Sequence, residues 1–122
     1  MIKALVVDDN RQPADSLCLM LSLLDVNAHA AYGPRAAIIA VKEEVPDILF
    51  LDINMPMVDG YEILSYFKRE PRLANVPIVV VTADDSPETA KRARQRGALD
   101  VIIKPATLEA IEKTLYAANM VK

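Results

Sequence analysis

Ile48, Leu49, Phe50 and Leu51 run without a break into Asp52, and the chain turns soon afterwards at Pro56 and Gly60. A short, uninterrupted apolar run bounded by turn residues reads as a strand buried on both faces, the kind found in parallel sheets. Asp52 then falls at that strand's carboxyl end, where open α/β sheets carry their chemistry. A carboxylate in such a place is costly unless a cation or hydrogen-bond donors meet it.

Similar runs recur along the chain. Ala4 to Val7 ends in Asp8-Asp9-Asn10, Val76 to Val81 ends at Thr82, and Leu99 to Ile103 is followed by Lys104-Pro105. Asn27 to Tyr32 reads as a weaker strand. Between these runs lie amphipathic stretches with one-face spacing. Leu17, Met20, Leu21 and Leu24 mark a helix after Pro13, and Gly33-Pro34 opens a second helix that Val45-Pro46 stops. Asp59 and Glu62 form a capping-box pattern for a third, with Ile63, Leu64 and Phe67 inward. Asp85 with Glu88 is expected to cap a fourth, ending at Gly97; Thr107 caps a fifth, carrying Leu108, Ile111, Leu115 and Ala118. Alternating strand–helix units with short connections predict an α/β fold, a parallel sheet with right-handed crossovers and helices on both faces.

At 122 residues the chain is long enough for one domain with its own core, here expected to span 1–122. A net charge of −3 gives nucleic acid or an anionic membrane no bulk attraction. Cys18 and His29 are each the sole residue of their type, which removes an intrachain disulfide, a C-x-x-C site, most zinc sites and a Ser-His-Asp triad. Lacking an apolar run of about 20 residues, the sequence predicts no membrane span. Met1-Ile2-Lys3 leads straight into the first strand, so a cytoplasmic protein is expected.

Four strands thus end in polar groups: Asp8 and Asp9, Asp52, Thr82, and Lys104. In a parallel sheet those ends share one edge, so the groups converge. An all-oxygen acidic cluster suits a hard ion, with Mg²⁺ as the choice. Lys104 and Thr82 can meet phosphoryl oxygens, and Asp52 is left as the nucleophile. Taken singly, each feature has a plainer reading, as helix capping, strand packing or a surface lysine; their recurrence at strand ends favours a phosphoryl site.

Asp8-Asp9, Asp52 within Asp-x-Asn-Met-Pro, Asp59-Gly60, Thr82-Ala83 and Lys104-Pro105 together resemble the receiver domain of two-component response regulators, and the likeness spans essentially the whole chain. The chain is similar to the family's single-domain chemotaxis regulator. The resemblance implies a flavodoxin-like (βα)5 three-layer sandwich of strand order 2-1-3-4-5, with the first and third strands as neighbours. It implies that Asp52 accepts a phosphoryl group from a sensor histidine kinase or histidine phosphotransfer protein. Asp9, Asp52 and the backbone carbonyl of Asn54 would bind Mg²⁺, with Asp8 acting through water. Lys104 and Thr82, helped by the amide of Ala83, would hold phosphoryl oxygens. A cis Lys104–Pro105 bond is also implied, as is a downstream partner on the face of the fourth helix, fifth strand and fifth helix. The family carries Tyr or Phe three residues before the lysine, where this chain has Val101. Output is therefore expected to run through the Thr82–Asp85 loop and the fourth helix.

Two other functions compete. An aspartate-nucleophile phosphatase of the haloacid-dehalogenase type shares the Asp, Thr and Lys, but Asn54 stands where that class needs a second acid. A pseudo-receiver scaffold is the other, against which the intact acidic set speaks. On this reading the chain is no enzyme beyond its own phosphorylation and dephosphorylation. Lys91, Arg92, Arg94 and Arg96 make the fourth helix basic, read first as a solvated face and second as a dock for an acidic partner. Tyr61, Tyr66 and Tyr116 are read as packing or interface residues, His29 as an ordinary strand residue and Cys18 as a small buried hydrophobe.

Overall fold

The computed structural model describes residues 1–120. Strands β1 (Ile2–Val7), β2 (Val26–Ala31), β3 (Ile48–Asp52), β4 (Ile78–Thr82) and β5 (Asp100–Ile103) alternate with helices α1 (Arg11–Leu23), α2 (Pro34–Glu43), α3 (Gly60–Arg69), α4 (Pro87–Gln95) and α5 (Leu108–Ala117). The strands form one parallel sheet of order β2-β1-β3-β4-β5.

Alternation along each strand divides the core in two. Leu5, Val7, Leu49, Leu51, Ile78 and Val80 face α2, α3 and α4. Ala4, Val6, Ile48, Phe50, Val79 and Val81 face α1 and α5. Because both faces are covered, β3 and β4 are buried at every residue, which is why they read as unbroken apolar runs. The edge strand β2 is buried only at Val26 and Ala31, and its sequence signal is correspondingly faint.

Several boundaries differ from those the sequence predicts. Asn10 caps α1, its side chain accepting from the Gln12 amide at 3.3 Å, so Pro13 lies inside the first turn, where a missing N–H costs no bond. β4 starts at Ile78: the Val76 amide donates to the Leu73 carbonyl in a turn that follows a short 3-10 helix (Pro71–Leu73) absent from the sequence reading, and Pro77 has no N–H to give. Ser86, not Asp85, caps α4. Pro87 holds the first helical position, which makes the residue before it the cap. Asp59 caps α3 as expected, by accepting from the Tyr61 amide at 3.0 Å, whereas Glu62 turns to Arg96 at 3.5 Å and leaves the reciprocal half of the box unmade. Thr107 caps α5, Gly97 follows α4 with φ +106°, and the Lys104–Pro105 peptide is cis, all as expected.

Candidate functional site

The strand order sets β1 beside β3, and α1 and α3 leave that pair on opposite faces of the sheet. A crevice therefore opens at the carboxyl ends of β1 and β3. Three central strands end there in the same local device. Asp8, just past β1, accepts the Asn10 amide at 2.9 Å; Asp52 accepts the Asn54 amide at 2.9 Å; Thr82 Oγ1 accepts the Asp84 amide at 3.0 Å. Short polar side chains bonding the backbone two residues on are what stop a strand and turn the chain, so these residue types belong at these positions for local reasons as well.

Tertiary structure brings the side chains together. One carboxylate oxygen each from Asp8, Asp9 and Asp52 lies within 4.8 Å of the others. Lys104 Nζ, arriving from the end of β5, is 3.1 Å from Asp8 Oδ2 and 3.5 Å from Asp52 Oδ2. Asn54 Nδ2 donates to Thr82 Oγ1 at 2.6 Å, joining the β3 and β4 ends. Asp8 and Asp52 are buried, at 4% and 5% exposure, and Thr82 is completely so, while Asp9 and Asn54 face solvent. Burial is the chief cause raising the Asp52 carboxyl above its ordinary value, with Asp8 adding to it; the Asn54 amide and Lys104 pull the other way without cancelling it.

Every residue expected at the site is at this edge. The sequence reading missed two links. Asp8 makes a direct ion pair with Lys104, and Thr82 is tied both to Asn54 and to Asp84, which continues by hydrogen bonds to Thr89 on α4. The spacing Thr82-x-Asp84-x-Ser86 is a signal for such turns that was open to sequence reasoning. A cavity of about 460 Å³ runs from Asp8, Asp52 and Lys104 down between α1 and the Pro105–Ala106 turn to Val6 and Phe50.

The basic residues of α4 are largely engaged within the molecule. Arg92 stacks over Tyr61 at 4.0 Å, Arg94 meets Asp100 at 3.2 Å, and Arg96 contacts Glu62 at 3.5 Å and Ser65 at 3.2 Å. That favours the solvated, self-paired face over an acidic-partner dock. Leu99, Ile103, Leu108 and Tyr116 are exposed in the α4, β5 and α5 region, and Val101 is half-buried against the core beneath α2 to α4. Cys18 is half-buried, its thiol pushed up to about 11 by burial and by Asp15. His29 is an exposed residue of β2.

With three carboxylates against one lysine, and oxygen ligands throughout, the cluster fits a hard divalent cation such as Mg²⁺. No helix among the described residues is long and apolar enough to cross a membrane.

Known proteins agree with this geometry. The family described as response regulator receiver domain matches residues 4–116. The transcriptional regulatory protein ZraR of Salmonella typhimurium is 36% identical over 118 residues, covering 96% of this chain but 26% of the relative, so the chain spans about a quarter of that protein's length. The two-component response regulator ORR13 of Oryza sativa subsp. japonica is 28% identical over 91% of this chain and 93% of its own length. The Vibrio cholerae chemotaxis protein CheY4 superposes with a TM-score of 0.88 at 26% identity, covering 97% of this chain and 98% of that one. On the fold, the site and this match together, the chain belongs to the response regulator receiver domain family.

Proposed function

We propose that the chain is a phosphorylation-dependent signalling switch in which Asp52 accepts a phosphoryl group from a phosphohistidine of a sensor kinase or phosphotransfer protein. The observation that carries this reading is the convergence of Asp8, Asp9, Asp52 and Lys104 at one sheet edge.

An Asp52 carboxylate oxygen attacks phosphorus, the P–N bond breaks, and its electron pair leaves on the imidazole. An aspartyl phosphate forms. Hydrolysis reverses the covalent change: water attacks phosphorus, the P–O bond to Asp52 breaks, and inorganic phosphate leaves the carboxylate as it began. Phosphoryl transfer asks little covalent chemistry of a protein, so positioning and charge do the catalysis. Lys104, already between Asp8 and Asp52, neutralises phosphoryl oxygens, and the Thr82 hydroxyl donates to another. Mg²⁺, when held by Asp9, Asp52 and the Asn54 carbonyl with Asp8 acting through water, supplies further neutralisation of the charge on the transferring group.

The output passes through the Thr82–Asp85 loop and α4 to a protein partner on the α4–β5–α5 face. Val101 lacks the reach of an aromatic ring, so it does not relay the change.

Incubation with acetyl phosphate and Mg²⁺, followed by mass spectrometry, tests the reading. One base-labile phosphate on Asp52, lost in Asp52→Asn, is the expected result. Rapid turnover of added phosphoesters would make the chain a phosphatase, and absence of label would make it a scaffold.

A further inference from the structure

Beyond the acidic cluster, a second polar chain leaves the site toward α4. Thr82 Oγ1 accepts from Asn54 Nδ2 at 2.6 Å and from the Asp84 amide at 3.0 Å. A hydroxyl has two acceptor lone pairs and one O–H donor, so both acceptor positions are taken and the O–H is the group left to give. Thr82 is fully buried, which makes that arrangement specific.

Asp84 is equally committed at its other end. Its Oδ1 accepts the Ser86 amide at 2.9 Å and its Oδ2 accepts the Thr89 hydroxyl at 2.6 Å. Thr89 Oγ1 also lies 3.0 Å from Ser86 Oγ, and Ser86 caps α4 by accepting the Thr89 amide at 3.4 Å. The first turn of α4 is thus bonded through Asp84 to Thr82. The Thr89 hydroxyl is the first cause holding the Asp84 carboxyl below its ordinary value, as expected of a bond made to the charged form.

When Asp52 carries a phosphoryl group, the free Thr82 O–H gains an anionic acceptor, and the short charge-assisted bond draws Oγ1 toward it. The bonds from Asn54 Nδ2 and the Asp84 amide both end on that oxygen, so its movement is passed to the Asp84 turn, to which α4 is fastened.

Resting on the acceptor role of Asp52, we infer that Thr89 is the positioning residue through which α4 registers occupancy of that site, by way of Asp84 and the Thr82 hydroxyl. Thr89 touches no reacting group and acts through its neighbours. Charge at one end of the chain is converted into displacement at the other through one shared oxygen and a contiguous run of hydrogen bonds.

The test is amide NMR with and without beryllofluoride and Mg²⁺, beryllofluoride standing in for the phosphoryl group. The wild-type chain should show shifts at Ile53–Met55 and at Ala93–Gln95, near the far end of α4. Thr89→Val, equal in shape, should retain the first set and lose most of the second; Thr89→Ser, which restores the hydroxyl, should recover it. Asp84→Ala, at an exposed position, breaks the chain independently and should behave as the valine variant does. Unchanged Ala93–Gln95 responses in Thr89→Val or in Asp84→Ala would overturn the inference, as would failure of the serine to rescue. A wild-type chain with no response at Ile53–Met55 would instead refute the acceptor role of Asp52.

Discussion

Asp52 is a buried carboxylate with a carboxylate neighbour, and its elevated pKa has a direct consequence for stability. The folded chain binds a proton at Asp52 at pH values where the unfolded chain has already released it. Stability without divalent ions therefore falls as pH rises from the ordinary carboxylate range through the raised value, and the penalty is fully present above it. Asp52→Asn should raise the melting temperature in EDTA at neutral pH and flatten that slope, as read by thermal melts across pH. Mg²⁺ should stabilise the native chain by mass action, by about 2.7 kcal/mol at a hundredfold excess over Kd, and Asp52→Asn should gain less. Cys18 provides a contrast: with its thiol pushed up to about 11, it should resist iodoacetamide at neutral pH in the folded chain and react promptly in urea.

Among the elements, the β3–α3 connection carries a steric constraint set by backbone, and of the three glycines Gly60 has the least room. Gly60 is the first residue of α3, and a Cβ there would meet Ile53 Cα at 2.3 Å and its carbonyl oxygen at 2.4 Å. The obstacle is backbone, one residue after Asp52, and cannot rotate away. Gly60→Ala would ordinarily favour a helix. Here it should destabilise by about 1–3 kcal/mol, as overpacking does, and slow labelling of Asp52 by acetyl phosphate. Denaturant melts and labelling rates check both effects. Helix starts show how far local chemistry reaches. Asp59 and Thr107 were legible as caps because a cap bonds amides two or three residues away. The α4 start was misplaced by one residue, since three polar residues, Asp84, Asp85 and Ser86, compete for one cap and Pro87 decides it.

For the molecule as a whole, the sheet is the common structural member between two separate packing layers. Phe50 lies in the layer under α1 and α5, fully buried, and also lines the cavity that leads to Asp52. Phe50→Ala should cost about 3–5 kcal/mol by lost transfer energy and an unfilled void. Chemical denaturation would measure that loss, with the strand order, and so the convergence of Asp8, Asp52 and Lys104, surviving in the fraction that folds. By itself the sequence determined the strands, from their unbroken apolar runs, the helices, from their one-sided stripes, and the polar residue at each strand end. These signals are local, set by backbone propensity and by which side of an element is wetted. Only the tertiary structure decided that Lys104 reaches Asp8 from 96 positions away, that Asn54 and Asp84 share the Thr82 hydroxyl, and that Arg92, Arg94 and Arg96 engage Tyr61, Asp100 and Glu62 at the surface. Those pairings depend on which strands lie side by side and how far each side chain reaches across the gap, and neither quantity is written in the spacing of residues along the chain.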